Sequence, residues 1–406
     1  MYKTLAILLS LLLLFGILSC NLDGSGIFLT ISKSTEIADS KLATEPVRDI
    51  LYNDTTTDFM YILYRTSVKK ANISSAFPNP TWDNVDFSRP ISEAVFIPGP
   101  THKLVYSSVH ADDNLKSVYV GSFTTPTTST LVTGLENVNV IDIIHDVTTD
   151  DVYIITYDPT TDIVSIYKFN ISTPGTISTK TFSLAIAPTA VHFIRNGADT
   201  NSYFIFVRPD ATQGYINSYL KVSDFSTAIV PTKLTVPVFD TSSTSDNATK
   251  DSPIIGAYAD GTTIYLVTNE GILVTSLIID DVGSTYTAVN NADKSEFMSI
   301  VLNPSGSTAS IYSIPMTVVT KSDVSATKLL IIGGLSDIYY YDIANPTEIP
   351  VEFNTTSDEF YSNVSSTRIL DFYNVLSDGN FSLFTATSKK WIWETVNEDT
   401  VSTQLL

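Results

Sequence analysis

Residues 138–171 read VNVIDIIHDVTTDDVYIITYDPTTDIVSIYKFNI. Three runs rich in β-branched and aromatic residues, Val138–His145, Val152–Tyr157 and Ile163–Phe169, are separated by Thr148-Thr149-Asp150-Asp151 and by Asp158-Pro159-Thr160-Thr161-Asp162. Short apolar runs bounded by Asp, Thr and Pro clusters spell strand, tight turn, strand, tight turn, strand. The middle run, Val152-Tyr153-Ile154-Ile155, is apolar at consecutive positions rather than at alternate ones. Successive strand residues point to opposite faces, so this strand expects burial on both sides.

The same pattern recurs along the chain. Val47–Tyr52, Phe59–Tyr64 and Val68–Ile73 form one unit, and Ala94–Ile97, Leu104–Val109 and Ser117–Phe123 the next. After the 138–171 unit come Ala190–Ile194, Tyr203–Arg208 and Tyr215–Val222, then Ile254–Tyr258, Thr263–Thr268 and Ile272–Ile279. A longer unit opens at Phe297–Leu302 and contains Leu329–Ile332 and Ile338–Tyr341; Ile369–Val375, Phe381–Thr385 and Trp391–Thr395 close the series. The central strands therefore repeat at a period of about 50 residues, and such a period with three or four short antiparallel strands per unit is that of β-propeller blades. No amphipathic stretch of helical period interrupts them. The expected fold is all-β, a seven-bladed β-propeller of antiparallel blades over residues 27–406, with loop insertions near Thr241–Asp251 and Pro315–Thr327. Stacked sandwiches would need a mid-chain linker, and no Ser/Thr/Pro stretch is long enough to be one. The last unit reads as three strands, while Gly26-Ile27-Phe28-Leu29-Thr30-Ile31 has no partners beside it. This N-terminal strand is predicted to close the last blade and remove two exposed edges.

Residues 1–20 carry a different message. Met1-Tyr2-Lys3 is a short positive start, Leu5–Leu18 is almost wholly aliphatic, and Ile17-Leu18-Ser19-Cys20 ends the run. At about 1.5 Å per residue Leu5–Leu18 reaches roughly 21 Å, short of a ~30 Å hydrocarbon core. The layout is that of a secretory signal. With its cysteine just past the cut, it resembles a bacterial lipoprotein signal peptide with a relaxed lipobox, Ile17, Leu18 and Ser19 standing where Leu, Ala or Ser, and Gly or Ala are commonest. The resemblance implies a signal peptide over residues 1–19, a lipidated tether over 20–26, and a Cys20 thiol that is diacylated and becomes the new N-terminus. Asn21, rather than Asp, favours the outer membrane. The implied location is a bacterial membrane, on its periplasmic or cell-surface face.

Cys20 is the one cysteine, so no disulfide can form within the chain. At 43% hydrophobic and 11% aromatic residues the chain can bury a full core, and stability must come from packing and sheet hydrogen bonds. A net charge of −20, with 23 Lys and Arg scattered along the chain, excludes unaided binding to nucleic-acid backbones.

Candidate chemistry is sparse. Of His102, His110, His145 and His192, the last two fall late in the first strands of consecutive units, where a propeller lines its channel. Asp142 and Asp371 also lie on first strands, as does Arg48-Asp49. A hydrolase site would need such carboxylates, or carboxylates with His, converging in the channel. No metal-ligand spacing, phosphate loop or nucleophile elbow is present, and neither a metal nor a cofactor is expected. The Asp-rich turns lack a calcium-loop pattern and read as turn chemistry. Tyr339-Tyr340-Tyr341, Trp391 and Trp393 alternate along strands, half facing neighbouring blades and half free to dock protein or glycan. The expectation is a lipid-anchored cell-envelope protein whose propeller is a non-enzymatic binding or scaffolding module for a protein partner, in fold-level analogy to envelope lipoproteins that support assembly machinery. The alternative is a propeller-fold hydrolase of a glycan or lactone.

Overall fold

The computed structural model describes residues 47–53, 59–64, 67–72, 82–109, 116–197, 199–211, 214–234, 253–268, 271–275, 287–289, 314–320, 328–333, 338–343, 351–352, 369–377, 380–387, 391–397 and 400–405. All belong to one unit, Glu45–Leu406. The signal, the tether, Cys20 and Gly26–Ile31 lie outside the described residues, as do His110, Thr241–Asp251 and Phe297–Leu302.

The described strands form seven four-stranded antiparallel sheets, each a meander in chain order. Sheet 1 holds β1 (Val47–Asn53), β2 (Phe59–Tyr64), β3 (Val68–Asn72) and β4 (Asp83–Val85); sheet 2 holds β5 (Ala94–Ile97), β6 (Lys103–Val109), β7 (Lys116–Ser122) and β8 (Thr125–Leu131). Sheet 3 is β9 (Val140–Asp146), β10 (Asp151–Asp158), β11 (Ile163–Asn170) and β12 (Ser178–Ser183); sheet 4 is β13 (Ala190–Ile194), β14 (Tyr203–Asp210), β15 (Gly214–Lys221) and β16 (Thr232–Leu234). Sheet 5 comprises β17 (Ile254–Asp260), β18 (Thr263–Thr268), β19 (Gly271–Thr275) and β20 (Thr287–Val289). Sheet 6 comprises β21 (Met316–Thr320), β22 (Lys328–Gly333), β23 (Ile338–Asp342) and β24 (Val351–Glu352), and sheet 7 comprises β25 (Ile369–Ser377), β26 (Asn380–Thr387), β27 (Trp391–Asn397) and β28 (Thr400–Leu405).

The turns of sheet 3 explain its local folding. Asp146 accepts the Thr148 N–H at 3.0 Å and the Thr149 hydroxyl at 2.9 Å; Asp158 repeats this with Thr160 N–H at 2.8 Å and the Thr161 hydroxyl at 2.7 Å. Asp150 and Asp162 each end such a turn with φ near +56° and +55°, a conformation that Asp tolerates through its short polar side chain. The motif Asp-x-Thr-Thr-Asp is thus a backbone cap used twice.

Packing follows the double-sided burial read from the central strands. Val152 and Ile154 of β10 join a core with Val105 and Val118 of sheet 2, while Tyr153 and Ile155 join Phe204 and Phe206 of sheet 4. Tyr203, Ile205 and Val207 then meet Ile264 and Leu266 of sheet 5, whose Tyr265 and Val267 meet Leu330 and Ile332 of sheet 6. Tyr61 and Leu63 do the same toward Leu104 and Tyr106 of sheet 2. Each alternation hands one face to the sheet before and the other to the sheet after. The first strands form an inner row: β1 lies against β5, β5 against β9, β13 against β17, β17 against β21, and β21 against β25. β1 also lies against β25 and β26 of sheet 7, so the first and last sheets are neighbours.

Inner-row contact is tight at Gly256, where a Cβ would stand 2.7 Å from Met316 Sδ and 2.8 Å from Ile314 Cγ1. The Ile314 N–H donates to Ile255 O at 2.8 Å, which pins β17 to the residues leading into β21 and leaves little room to yield. Gly256→Ala is expected to lower stability by about 1–3 kcal/mol, measured by urea unfolding.

Two sequence expectations change. Of the three or four strands expected per unit every sheet has four, and the fourth carries little apolar pattern; β8 reads TPTTSTL and is mostly exposed. Sheet 6 takes its first strand from Met316–Thr320, inside the segment expected to be an insertion, because MTVVT is a β-branched run that pairs with β22 in full register. The fourth place in the last sheet is filled by β28, which forms a hairpin with β27 through the pair Asn397 and Thr400, rather than by Gly26–Ile31. A local hairpin closes at smaller entropic cost than a pairing across the whole chain.

Candidate functional site

The inner row carries a recurring irregularity. Pairing slips between Val47 and Asp49 on β1, opposite Ile155/Thr156 on β9, between Ile254 and Gly256 on β17, and between Ile369 and Asp371 on β25. Before β5, Ser92 N–H donates to Ser107 O while Ser107 N–H donates to Glu93 O, so two residues face one. Bulges re-aim side chains and gather where sheets frame sites. Asp49, Asp142 and Asp371 are each the first paired residue after the slip, and Glu93 sits at the slip in sheet 2. The inner strands of sheets 7, 1 and 3, and the residue just before β5 in sheet 2, therefore carry a carboxylate residue at corresponding places.

Asp142 is the most perturbed of them. Burial pushes its carboxyl up to about 7, the Ile143 N–H on Oδ1 at 2.8 Å opposes this, and the nearby Glu93 charge adds to it. Asp142 as a whole is half-buried. Lys116 Nζ lies 3.6 Å from Glu93 Oε1 and donates to Val140 O at 3.2 Å. Asp49 Oδ2 accepts the Phe96 N–H at 3.3 Å, tying sheet 1 to sheet 2.

The two inner-strand histidines are not brought together. His192 is buried, its Nε2 2.9 Å from Ile254 O, and burial lowers its pKa to about 4. The neutral ring donates to that carbonyl and joins sheet 4 to sheet 5. His145 lies at the other end of β9 with its side chain 3% exposed and Nε2 3.5 Å from Asp150 Oδ1. Burial lowers its pKa, and the charges of Asp150, Asp146 and Asp151 partly counter this. His102 is half-buried against Tyr61, accepts the Gly99 N–H on Nδ1 at 3.3 Å, and is also lowered by burial. Among the described residues no group of three or more His, Cys, Asp or Glu could hold a metal ion. Asp371 is placed by backbone alone, opposite Ala386.

Further ties were not legible in the sequence. Asp146, with a side chain 0% exposed, meets Arg195 NH1 at 3.2 Å and joins sheet 3 to sheet 4. The buried Lys180 of β12 donates to the carbonyls of Asp224 and Thr227 at the end of the 3₁₀ turn Val222–Asp224. Lys328 pairs with Asp260 at 2.6 Å between sheets 6 and 5. The recurring slip is the signal that would have found Glu93, but it appears only once register is known.

No family model and no curated protein matches this sequence. Solved structures do match in fold. A catalytically inactive virginiamycin B lyase from Staphylococcus aureus, with quinupristin, superposes with a TM-score of 0.50 at 9% identity, covering 88% of this chain and 97% of that one. BBS1N in complex with ARL6DN gives 0.49 at 10% identity, covering 88% and 93%. The β-propeller domain of the Trilobed protease from Pyrococcus furiosus gives 0.45 at 9% identity, covering 89% and 98%. At such identities the likeness is one of fold, and it agrees with the sheet topology: this is an all-β, propeller-like domain of four-stranded antiparallel sheets.

Proposed function

We propose that the chain is a seven-bladed β-propeller held at a bacterial membrane by an acylated Cys20, on the periplasmic or cell-surface face, and that it works as a binding or scaffolding module. The observation that carries the binding reading is how polar groups are used: His192 and Asp49 on first strands, and Lys116 at the start of β7, all tie one sheet to the next through backbone groups. Such ties support a rigid ring whose loops and mouth present a surface, rather than a mobile catalytic constellation. The acidic positions on sheets 7, 1, 2 and 3 suit a partner with a cationic segment. Two acyl chains give stable anchoring where one does not, so Cys20→Ser is expected to move the protein from the membrane pellet to the soluble fraction. Retention in the pellet would rule out the lipid anchor. Affinity capture of the full-length protein from membranes should recover a reproducible protein partner at low salt and lose it at high salt.

One observation favours the hydrolase alternative, with a glycan or lactone as substrate. A carboxyl titrating near neutrality beside a second carboxylate is the equipment of a general acid or base. Turnover of a glycan or lactone panel that vanishes in Asp142→Asn, with no partner captured, would decide for the enzyme.

A further inference from the structure

Away from the inner row, the connection from β4 to β5 lines a cleft of about 330 Å³. Val85 and Ile91, 7% and 5% exposed, form its apolar floor, and Ser67, Asp86, Ser88 and Arg89 supply its polar wall. The Arg89 guanidinium lies 4.8 Å from the Tyr119 ring centroid, a ring that belongs to sheet 2. A guanidinium held over a ring face can keep N–H edges available to a planar carboxylate. Among the described residues Arg89 has no carboxylate partner, as is also true of Lys69, Lys70, Lys103 and Arg208, whose cations meet rings or backbone carbonyls instead. Asp86 lines the same cleft and forms no ion pair with Arg89. Two residues of opposite charge thus line one small cleft beside Val85 and Ile91 without pairing with each other.

We propose that this cleft binds a small zwitterion, an α-amino acid with an apolar side chain or a dipeptide of such residues: Arg89 takes the carboxylate, Asp86 the ammonium group, and Val85 and Ile91 the side chain. The volume suits a ligand of this size and falls at the small end of pockets built for larger molecules. The chemistry is shared by a free amino acid and a dipeptide, and the measurement separates them.

The test is calorimetric or ligand-observed NMR titration of the full-length protein with leucine, leucyl-leucine, N-acetylleucine and leucinamide. Saturable binding of leucine or leucyl-leucine is expected, the tighter of the two identifying the natural size. N-acetylleucine lacks the ammonium and leucinamide the carboxylate, so each should bind at least about fivefold more weakly. Arg89→Gln should weaken leucine about tenfold, and Asp86→Asn should weaken leucine while leaving N-acetylleucine unchanged. Both residues are exposed, so circular dichroism should show intact variants. No saturable binding by any of the four, equal binding of leucine and leucinamide, or an unaltered affinity in Arg89→Gln would each overturn the proposal.

Discussion

Asp146→Ala should be among the most destabilising single changes in the chain, lowering the free energy of unfolding by about 3–5 kcal/mol. The Asp146 carboxylate is wholly enclosed and satisfies three donors from two directions: the Thr148 N–H, the Thr149 hydroxyl and the Arg195 guanidinium. Its removal leaves the turn after β9 without its cap and leaves Arg195, itself only 18% exposed, beside a void where its charge was balanced. Uncompensated charge in an enclosed site costs far more than an intact pair contributes, because the desolvation already incurred is no longer offset. The pair also spans sheets 3 and 4, so the damage falls on a contact between sheets as well as on one hairpin. Urea unfolding of Asp146→Ala, Arg195→Met and the double variant separates these effects. The double variant should be less destabilised than the sum of the singles, since each single orphans a charge that the double removes. A loss below about 1 kcal/mol for Asp146→Ala would mean that water reaches the pair and that the two sheets do not depend on it.

What the sequence disclosed and what it concealed divide along a physical line. Double-sided apolar runs such as Val152-Tyr153-Ile154-Ile155 announced strands buried between two sheets, and the cores on either side of β10 follow that alternation residue by residue. Outer strands such as Thr125–Leu131 were hidden because a solvent-facing edge needs no apolar pattern, only β propensity and a partner. Met316–Thr320 was hidden for a different reason: a short run following a proline resembles a loop until its register with Leu329–Ile332 is known. At the candidate site, Asp142, Asp49 and Asp371 were legible as first-strand carboxylates. Their common place after a slip in pairing was not, since bulges depend on partner strands. His192 shows where spacing stops informing. Its place on a first strand allowed a channel role but its spacing only reflected the repeat, and its imidazole is engaged with the Ile254 carbonyl of the next sheet. Periodicity fixes which strand a residue is on, but only packing decides which neighbour it meets.

The second large effect concerns pH. Asp142→Asn should raise stability by about 2–4 kcal/mol at pH 8 and leave it nearly unchanged at pH 4. In the unfolded chain this carboxyl titrates at its ordinary value near 3.8, whereas in the folded protein burial holds it at about 7. Between those limits the folded state binds the extra proton, so wild-type stability falls as pH rises through the window. Asparagine carries no such charge and removes that slope. His192 acts in the other direction: its folded pKa of about 4 lies below its ordinary 6.5, so the unfolded state binds the extra proton and stability rises with pH between the two. The windows overlap from about 4 to 6.5, where the two groups offset each other in the wild type. Asp142→Asn should therefore expose a rising curve over that range, and His192→Gln a falling one. Urea midpoints across pH 4–8 for the three proteins test this directly, and parallel curves would show that Asp142 is ionised throughout and reached freely by water. A carboxyl that costs the folded protein stability at neutral pH is one for which folding supplies no reason, which makes Asp142 the residue to follow in both functional readings. In the binding reading, partner capture should weaken as the group protonates below pH 7. In the catalytic reading, turnover should titrate with the same midpoint and disappear in the asparagine variant at every pH.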